Sequence, residues 1–429
     1  MFPRRKPTLF LLATLLVFCF LAIQPSPATA VAEAFFLVDS MEDLPDFAPG
    51  NSVCSANQII DGPCTLRAAI TEANLNIHSY NITIILPPGI YTLTIPSDEG
   101  GYSPNNGDLD IQSNSTTNRI TIMSTGAPGD VVITAGPNFQ DRILEIGEAN
   151  VSISDIVFSG ANFVIAPNQY AGGAIYNKGT LKLNEVKFTD NSVSCKPGED
   201  CEGYGVGGAI LNKGTLTIVD SSFIRSSADR GSAIFNAGGD NLIDISHSMF
   251  TQNSSSTIEN YSSISIKNST FSGGDSGFVN EGQLFLRSNT FTNFSETIRN
   301  RTDKYVYSVN NIFTTQASKI FHGTGGDWLS GGYNIFSDDS WPATYAAGDL
   351  SSTNPKLSSL GYYGGPTLTH ALQQGSPAID HRPGKCFGAL HPIDEDQRHF
   401  PRDDGYCDTG AFEHSGNFFK MLYLPLIQR

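Results

Sequence analysis

Charge is scarce in this chain, and positive charge is scarcer still. Asp, Glu, Lys and Arg make up 16% of the 429 residues, with 26 Lys and Arg against 42 Asp and Glu. The formal net charge of −16 repels nucleic acid and anionic lipid, so neither is expected as a partner. Helical periodicity is almost missing, and the chain is rich in the Gly, Ser, Thr and Asn that suit turns and short strands. No Cys-x-x-Cys, His-x-x-x-His or His-Glu-x-x-His occurs, which removes the familiar zinc signatures. Beyond the N-terminal end no apolar run approaches the ~20 residues that cross a bilayer.

What is present begins with Arg4, Arg5 and Lys6, an apolar run from Leu9 to Ile23, and small residues ending in Ala28, Thr29 and Ala30. That order is expected of a secretory signal peptide over residues 1–30, cut near Ala30. Its removal takes away three basic residues and Cys19, which moves the net charge from −16 to −19 and leaves six cysteines. An even count in an exported chain implies disulfides. Each pair, Cys54 with Cys64, Cys195 with Cys201 and Cys386 with Cys407, sits inside one loop-rich segment, so local pairing is expected. The mature chain is expected to be secreted or cell-surface, monomeric and without a membrane span.

The stretch GGAIYNKGTLKLNEVKF from Gly172 to Phe188 returns as GGAILNKGTLTIVDSSF from Gly207 to Phe223. A phase marker at Ile175, Ile210, Ile234, Ile258, Phe278 and Ile298 is followed two residues on by Asn177, Asn212, Asn236, Asn260, Asn280 and Asn300, at spacings of 35, 24, 24, 20 and 20. A second marker closes each unit at Phe158, Phe188, Phe223, Phe250, Phe271, Phe291, Phe313 and Phe336. Within units the apolar residues alternate, as Leu216 and Ile218 do between threonines, which is the period of a half-buried strand. Units this short cannot bury an apolar face alone and must stack. Stacking at the ~4.8 Å spacing of paired strands makes a parallel β-helix with aligned Ile, Leu and Phe inside. A β-sandwich leaves the fixed phase of Asn and Phe unexplained, and propeller blades are longer than these units. The asparagines are expected to hydrogen-bond to one another in a turn, tolerating left-handed backbone there.

The expected fold class is therefore all-β, a right-handed parallel β-helix solenoid with an N-terminal capping helix and a loop-rich C-terminal cap. In CTLRAAITEAN, Leu66, Ala69, Ile70 and Ala73 lie on one helical face and Thr65 is a candidate N-cap. The segments divide as 1–30 signal peptide, 31–120 N-terminal cap and first coils, 121–345 β-helix repeats, 346–416 C-terminal module and 417–429 tail.

CTLRAAITEAN, from Cys64 to Asn74, resembles the CSLREA-type domain that begins many secreted bacterial proteins, departing from it at Thr65 and Ala68. GDLDI at 107–111 and DRILEI at 141–146 are similar to that family's early coils. The GGAI units, with FTDN at 188–191 and FTQN at 250–253, resemble the repeats of chlamydial polymorphic membrane proteins. GGPTLTHALQQGSPAID at 364–380 and DQRHFPRDDGYCDTGAFE at 396–413 resemble the choice-of-anchor Q module, with His381 where that family has a small residue. The resemblance implies a pectin-lyase-like β-helix and an export route, not a reaction.

No familiar β-helix catalytic signature occurs. A polysaccharide lyase needs carboxylates for Ca²⁺ and a basic proton acceptor, and a glycoside hydrolase needs two carboxylates at a set separation. Asp108 and Asp110 are the candidate cation ligands, Ca²⁺ being the cofactor they would suit; otherwise no cofactor is expected. Asp190, Asp220, Asp244, Asp275, Arg225, Arg230, Arg287 and Arg299 are the scattered remaining candidates. Five histidines, His370, His381, His391, His399 and His414, are expected on the surface of the C-terminal module, held by an ion-pair network of Asp396, Arg398, Arg402, Asp408 and Glu413. These patterns favour a non-catalytic structural, adhesive or carbohydrate-contacting protein whose partner is an extracellular polysaccharide or cell surface, with a polysaccharide lyase or glycoside hydrolase as the alternative.

Overall fold

The structure, a computed structural model, describes residues 32–414 apart from 59, 78–79, 97–104, 113–117, 168, 170, 202–204, 240, 302–303, 316–318, 323–325, 385, 387–392 and 403–404. The expected signal peptide, the tail at 417–429 and His391 lie outside the described residues.

The alternating segments form one wall of a parallel β-helix. Thr180–Asn184 lies in register on Thr215–Val219, with Leu181 against Leu216 and Leu183 against Ile218. Eleven such strands, from Ala32–Leu37 to Asp327–Ser330, pair in chain order. The I-x-N segments form another face: Ile175–Asn177 pairs with Leu144–Ile146 below and Ile210–Asn212 above. The third face carries the phenylalanine marker, Lys187–Thr189 lying between Ile156–Ser159 and Ser222–Ile224. We call these face two, face one and face three respectively, so that each coil runs one, two, three.

The unequal repeat spacing has a simple origin. Most of the extra length bulges between faces three and one, where Asn162–Ile165 pairs with Ser192–Cys195 as an outer ribbon closed by the Cys195–Cys201 disulfide, while the coil of Asn236 takes extra residues at corner one, before Leu242–Ser246. In the 20-residue coils the bulge disappears, and Met249–Asn260, Thr270–Asn280 and Thr290–Asn300 run unbroken around that corner. Faces three and one thereby join into one 16-stranded sheet.

Register forces like side chains together inside. The rings of Phe158, Phe188, Phe223, Phe250, Phe271, Phe291, Phe313 and Phe336 form one stack, with successive centroids 4.4–5.5 Å apart. Each stacked aromatic pair contributes about 0.5–1.5 kcal/mol beyond area burial. Phe321, Trp328, Phe336 and Trp341 pack edge to face at the far end of the interior.

The three corners use different chemistry. At corner one, between faces one and two, the asparagine amides turn inward: Asn177 donates to Asn212 at 2.7 Å, Asn212 to Asn236 at 3.0 Å, and Asn236, Asn260 and Asn280 each to the next at 2.8 Å. These asparagines do not have the left-handed backbone expected of them. Their side chains make the turn instead, as when Asn177 accepts from the Gly179 amide at 3.1 Å. Left-handed residues fill corner two, between faces two and three: Asp155, Glu185, Asp220, His247, Asn268, Ser288, Asn310 and Tyr333 all have φ of 47–59°. Behind them a second ladder runs from Ser221 through Ser248 and Ser269 to Asn289, Asn311 and Asn334, each side chain capping the backbone amide one coil earlier.

At the start, helix α1 (Leu66–Asn76) lays Leu66, Ala69, Ile70 and Ala73 on the first coils, its N-terminus capped by Thr65, which accepts from Ala68 at 3.1 Å. Buried Arg67 pairs with Asp43 at 2.7 Å and donates to the Gly107 carbonyl at 2.8 Å, while Asn74 donates to Asp110 at 2.7 Å. These two residues tie the helix to the GDLDI coil. Cys54 and Cys64 are disulfide-bonded, as are Cys386 and Cys407.

The C-terminal segment turns back along the flank of the stack and covers face three and corner two. Thr270 meets Thr369 at 2.8 Å, Asn310 donates to the Asp408 carbonyl at 2.9 Å, and Leu372, Ala378 and Phe412 pack on Ile312 and Ile335. Gly410 has φ of +99°, and a Cβ there would stand 2.7 Å from Ile312, so close approach requires glycine. Arg398 pairs with Asp396 at 2.6 Å and Arg402 with Glu413 at 2.7 Å, all four side chains at most 1% exposed.

Because Phe250 is fully buried between Phe223 and Phe271, Phe250→Ala is expected to cost about 3–5 kcal/mol. Denaturant unfolding followed by circular dichroism measures this; a loss under ~1 kcal/mol would deny the stack its role.

Candidate functional site

Alternation that points Ile175 inward points its neighbour outward, so face one carries an external column of Asp110, Glu145, Tyr176, Leu211, Phe235, Glu259, Val279, Arg299 and His322. At its start the structure brings Asp108 and Asp110 together with Glu145, one carboxylate oxygen from each lying within 4.8 Å of the others. Cations of the chain itself already stand there. Arg142 pairs with one Glu145 oxygen, Lys178 lies 2.6 Å from the other, and Arg142 is 3.7 Å from Asp108. Tyr176 and Phe163 flank the Arg142 guanidinium at 5.1 and 5.2 Å. Burial, and then the charge of Asp141, push the Asp108 carboxyl well above the usual aspartate range, against the opposing pull of Arg142.

Further along, Arg230 pairs with Glu259 at 2.6 Å, and Tyr261 adds a hydrogen bond to Glu259 at 3.0 Å. Burial and Glu259 push the Tyr261 phenol up to about 12. Arg299 pairs with Glu296 at 2.6 Å. Glu145 and Glu259 of this external column thus meet basic side chains, which suits a rigid, largely neutralised surface.

The remaining candidates are dispersed. Asp190 and Arg225 pair at 2.7 Å at the exposed corner between faces three and one, where Arg225 holds the Asp190 carboxyl below its ordinary value. Asp220 occupies corner two, and Asp244 and Arg287 lie on face two. Asp275 accepts from the Ser255 amide at 3.2 Å. The C-terminal histidines are not all on the surface. His370 is buried, 2.9 Å from Ser272 Oγ and 2.7 Å from the Ser358 carbonyl, because the module lies on face three with its inner side. His381 meets Thr409 at 2.7 Å, and His399 meets Asp220 at 2.8 Å.

Corner one is where the surface becomes concave. The ladder amides point inward, and the residue two positions after the asparagine is Gly179, Gly214, Gly238 or Gly282 in four coils. A Cβ at Gly179 would stand 2.3 Å from the Ala149 carbonyl, and at Gly214 or Gly282 2.0 Å from the carbonyl of the coil below, so packing itself demands bare backbone. The result is a groove along the axis. One stretch of 330 Å³ is lined by Glu148, Lys178, Thr180, Thr215 and Asn241; the next, of 550 Å³, begins at the same Asn241 and passes Tyr261, Glu281, Gln283, Lys304 and Tyr305. A separate cleft of 660 Å³ opens on the uncovered part of face three, between Val132, Glu185, Lys187, Asp220 and the module's Tyr362 and Pro366.

No family model matches the chain, and no curated protein matches it. Among solved structures, the crystal structure of pectate lyase Pel9A aligns with 90% of this chain and 98% of its own, at 14% identity and a TM-score of 0.37. At that similarity the fold rests on the strand register described above.

Sequence reasoning found Asp108 and Asp110 but missed Arg142, Lys178, Tyr261 and Tyr305. The Asn-Lys-Gly triplet was the available signal for the groove, since it places the inward amide, the wall and the bare floor in succession.

A carboxyl whose folded pKa is raised opposes folding above its unfolded pKa, and the penalty fades as pH falls through the raised value. Asp108→Asn is therefore expected to raise the melting temperature at pH 7. The gain should shrink on acidification and vanish below the ordinary aspartate value of 3.8. A lower melting temperature at pH 7 would show that the charged form, held by Arg142, is the favoured one.

Proposed function

We propose that the chain is a secreted or surface-displayed β-helix protein that holds an extended, neutral polysaccharide in the corner-one groove without transforming it. The observation that carries this reading is a pair of adjoining hollows, sharing Asn241 and floored in part by Gly179, Gly214, Gly239 and Gly282, that follow the ladder from Ala149 to Tyr305. Six coil steps at ~4.8 Å give it a length of about 29 Å, which suits a polymer rather than a small molecule. Its walls offer amides, hydroxyls and the rings of Tyr261 and Tyr305, the mixture that pairs with sugar hydroxyls and covers sugar faces.

Charge favours a neutral polymer. Lys178 and Lys304 are balanced in the walls by Glu148 and Glu281, and the chain as a whole is strongly acidic. The same residues argue against hydrolysis in this groove. Glu148 and Glu281 are five coil steps apart, ~24 Å, whereas paired glycosidase carboxylates stand ~5–10 Å apart. Glu281 is also engaged by Arg301 at 2.9 Å. An extracellular setting is supported by the signal-peptide-like N-terminus and by three disulfides.

A second reading has its own observation. Glu185 and Asp220 lie on consecutive coils in the 660 Å³ cleft, and burial, followed by Asp155 and Asp220, raises the Glu185 carboxyl. That is the kind of pair a glycoside hydrolase uses, and it is the reading to which activity would point.

Affinity electrophoresis against a panel of neutral and acidic polysaccharides tests both. The expected result is retardation by a neutral polymer, weakened ~10-fold or more by Tyr261→Ala with Tyr305→Ala, equivalent to about 1.4 kcal/mol. Retardation unchanged in the double variant would remove the groove from consideration. Reducing ends or unsaturated uronates released by the wild type and lost in Glu185→Gln would establish the second reading in place of the first.

A further inference from the structure

Three groups remote in sequence meet where the C-terminal module crosses corner two. Asp220 and His247 are consecutive members of the left-handed column, and His399 comes from the module. One ligand atom from each lies within 4.8 Å of the others. The two imidazoles stack at 4.5 Å between centroids with 26° between planes. Glu395 stands on one side of this stack, its Oε1 3.1 Å from His399 Nδ1 and 3.6 Å from His247 Nε2. Asp220 is bound at the opposite nitrogen, Oδ1 lying 2.8 Å from His399 Nε2.

The second observation is His247 itself. Its side chain is 9% exposed, and its Nδ1 is buried without a hydrogen-bond partner. Its Nε2 stands 3.3 Å from Asn268 Nδ2 and 3.6 Å from Glu395 Oε1, so Nδ1 is the ring nitrogen left over for a ligand. A buried ring nitrogen with nothing to bind is costly.

We propose that Asp220, His247 and His399 form a binding site for a divalent transition metal of the zinc class, fastening the C-terminal module to the β-helix. His247 Nδ1, His399 Nε2 and an Asp220 oxygen are the ligands, and a water completes the set, as three protein ligands commonly leave one position open. Glu395 is the outer carboxylate that accepts the remaining N–H of His399, the usual device for fixing ring orientation and strengthening the ligand nitrogen. Two imidazoles with one bound carboxylate suit zinc better than calcium, which prefers oxygen donors throughout. Metal–ligand bonds of ~2.0–2.1 Å require the stacked rings to swing apart at their Asp220 edge. His399, 39% exposed, is the member with room to move and the route of entry.

The test uses the full chain stripped with chelator. Titration with Zn²⁺ in a calorimeter, and with Co²⁺ followed by visible absorption, is expected to show one ion per chain, a low-coordinate cobalt spectrum, and a higher melting temperature with metal. His399→Gln and Asp220→Asn each change a partly exposed or surface-edge group and spare the core. Each should weaken binding ~10-fold or more and abolish the metal-induced rise in melting. Glu395→Gln should weaken it less. Absence of stoichiometric binding by the wild type overturns the proposal. So does binding of equal strength in His399→Gln and Asp220→Asn, which would put the ion elsewhere. Metal-free melting of the variants at the wild-type temperature excludes misfolding as the cause of lost binding. None of these readings depends on polysaccharide.

Discussion

Parallel backbone pairing between successive coils is the constraint on which the rest depends. Once Leu181 is held on Leu216 and Leu183 on Ile218, every other residue of those coils inherits a partner of the same phase. A shift of one residue would turn the whole apolar set outward, so the phase is fixed from the first coil to the last. The phenylalanine stack and the asparagine ladder are two consequences of that rule, one apolar and one polar. They differ in what they do at the surface. The rings fill the interior and leave no trace outside, whereas the inward amides let the chain turn with bare backbone and so cut a groove along the axis.

Legibility in the sequence followed residue identity. Wherever the fold requires one residue type at one phase, as at Phe158 to Phe336 or Asn177 to Asn300, the repeat could be read without coordinates. Corner two obeys an equally strict geometric rule, but eight positions of similar φ are filled by Asp155, Glu185, Asp220, His247, Asn268, Ser288, Asn310 and Tyr333. Their common property is a backbone conformation and not a side chain, so composition and periodicity did not reveal them. The same blindness hid part of the docking of the module, because Asp220, Asn268 and Asn310 of that column are among its contacts. Asp43 and Arg67 show another limit: the helix was visible from its spacing, but a buried partner 24 residues away has no local signature.

The candidate sites were harder still, for an electrostatic reason. Asp108 and Asp110 looked like cation ligands because strand alternation joined them, and they do meet. What the spacing of Asp108 and Asp110 could not convey is that the next coil brings Glu145 with Arg142 beside it, and the coil after that brings Lys178 to neutralise Glu145 as well. In a solenoid each external position sees the coils above and below at ~4.8 Å, closer than most of its own sequence neighbours. The charge balance of a face is therefore a property of three coils at once, and reading one coil overstates how exposed its acids are.

This division by corner explains how one scaffold can serve several purposes without conflict. The largest insertions are accepted between faces three and one, where the outer ribbon and its disulfide stand clear of the core. The module occupies corner two, whose left-handed residues present backbone and short polar groups to a second layer. Corner one remains open, because the ladder has withdrawn its side chains and glycine stands two positions after the asparagine in most of these coils. A ligand groove there can vary in its walls, at Lys178, Tyr261 or Tyr305, while the amides that fix the turn stay untouched. Binding chemistry and folding chemistry are thus carried by adjacent residues that point in opposite directions, and the groove can change its ligand without changing the register that makes it.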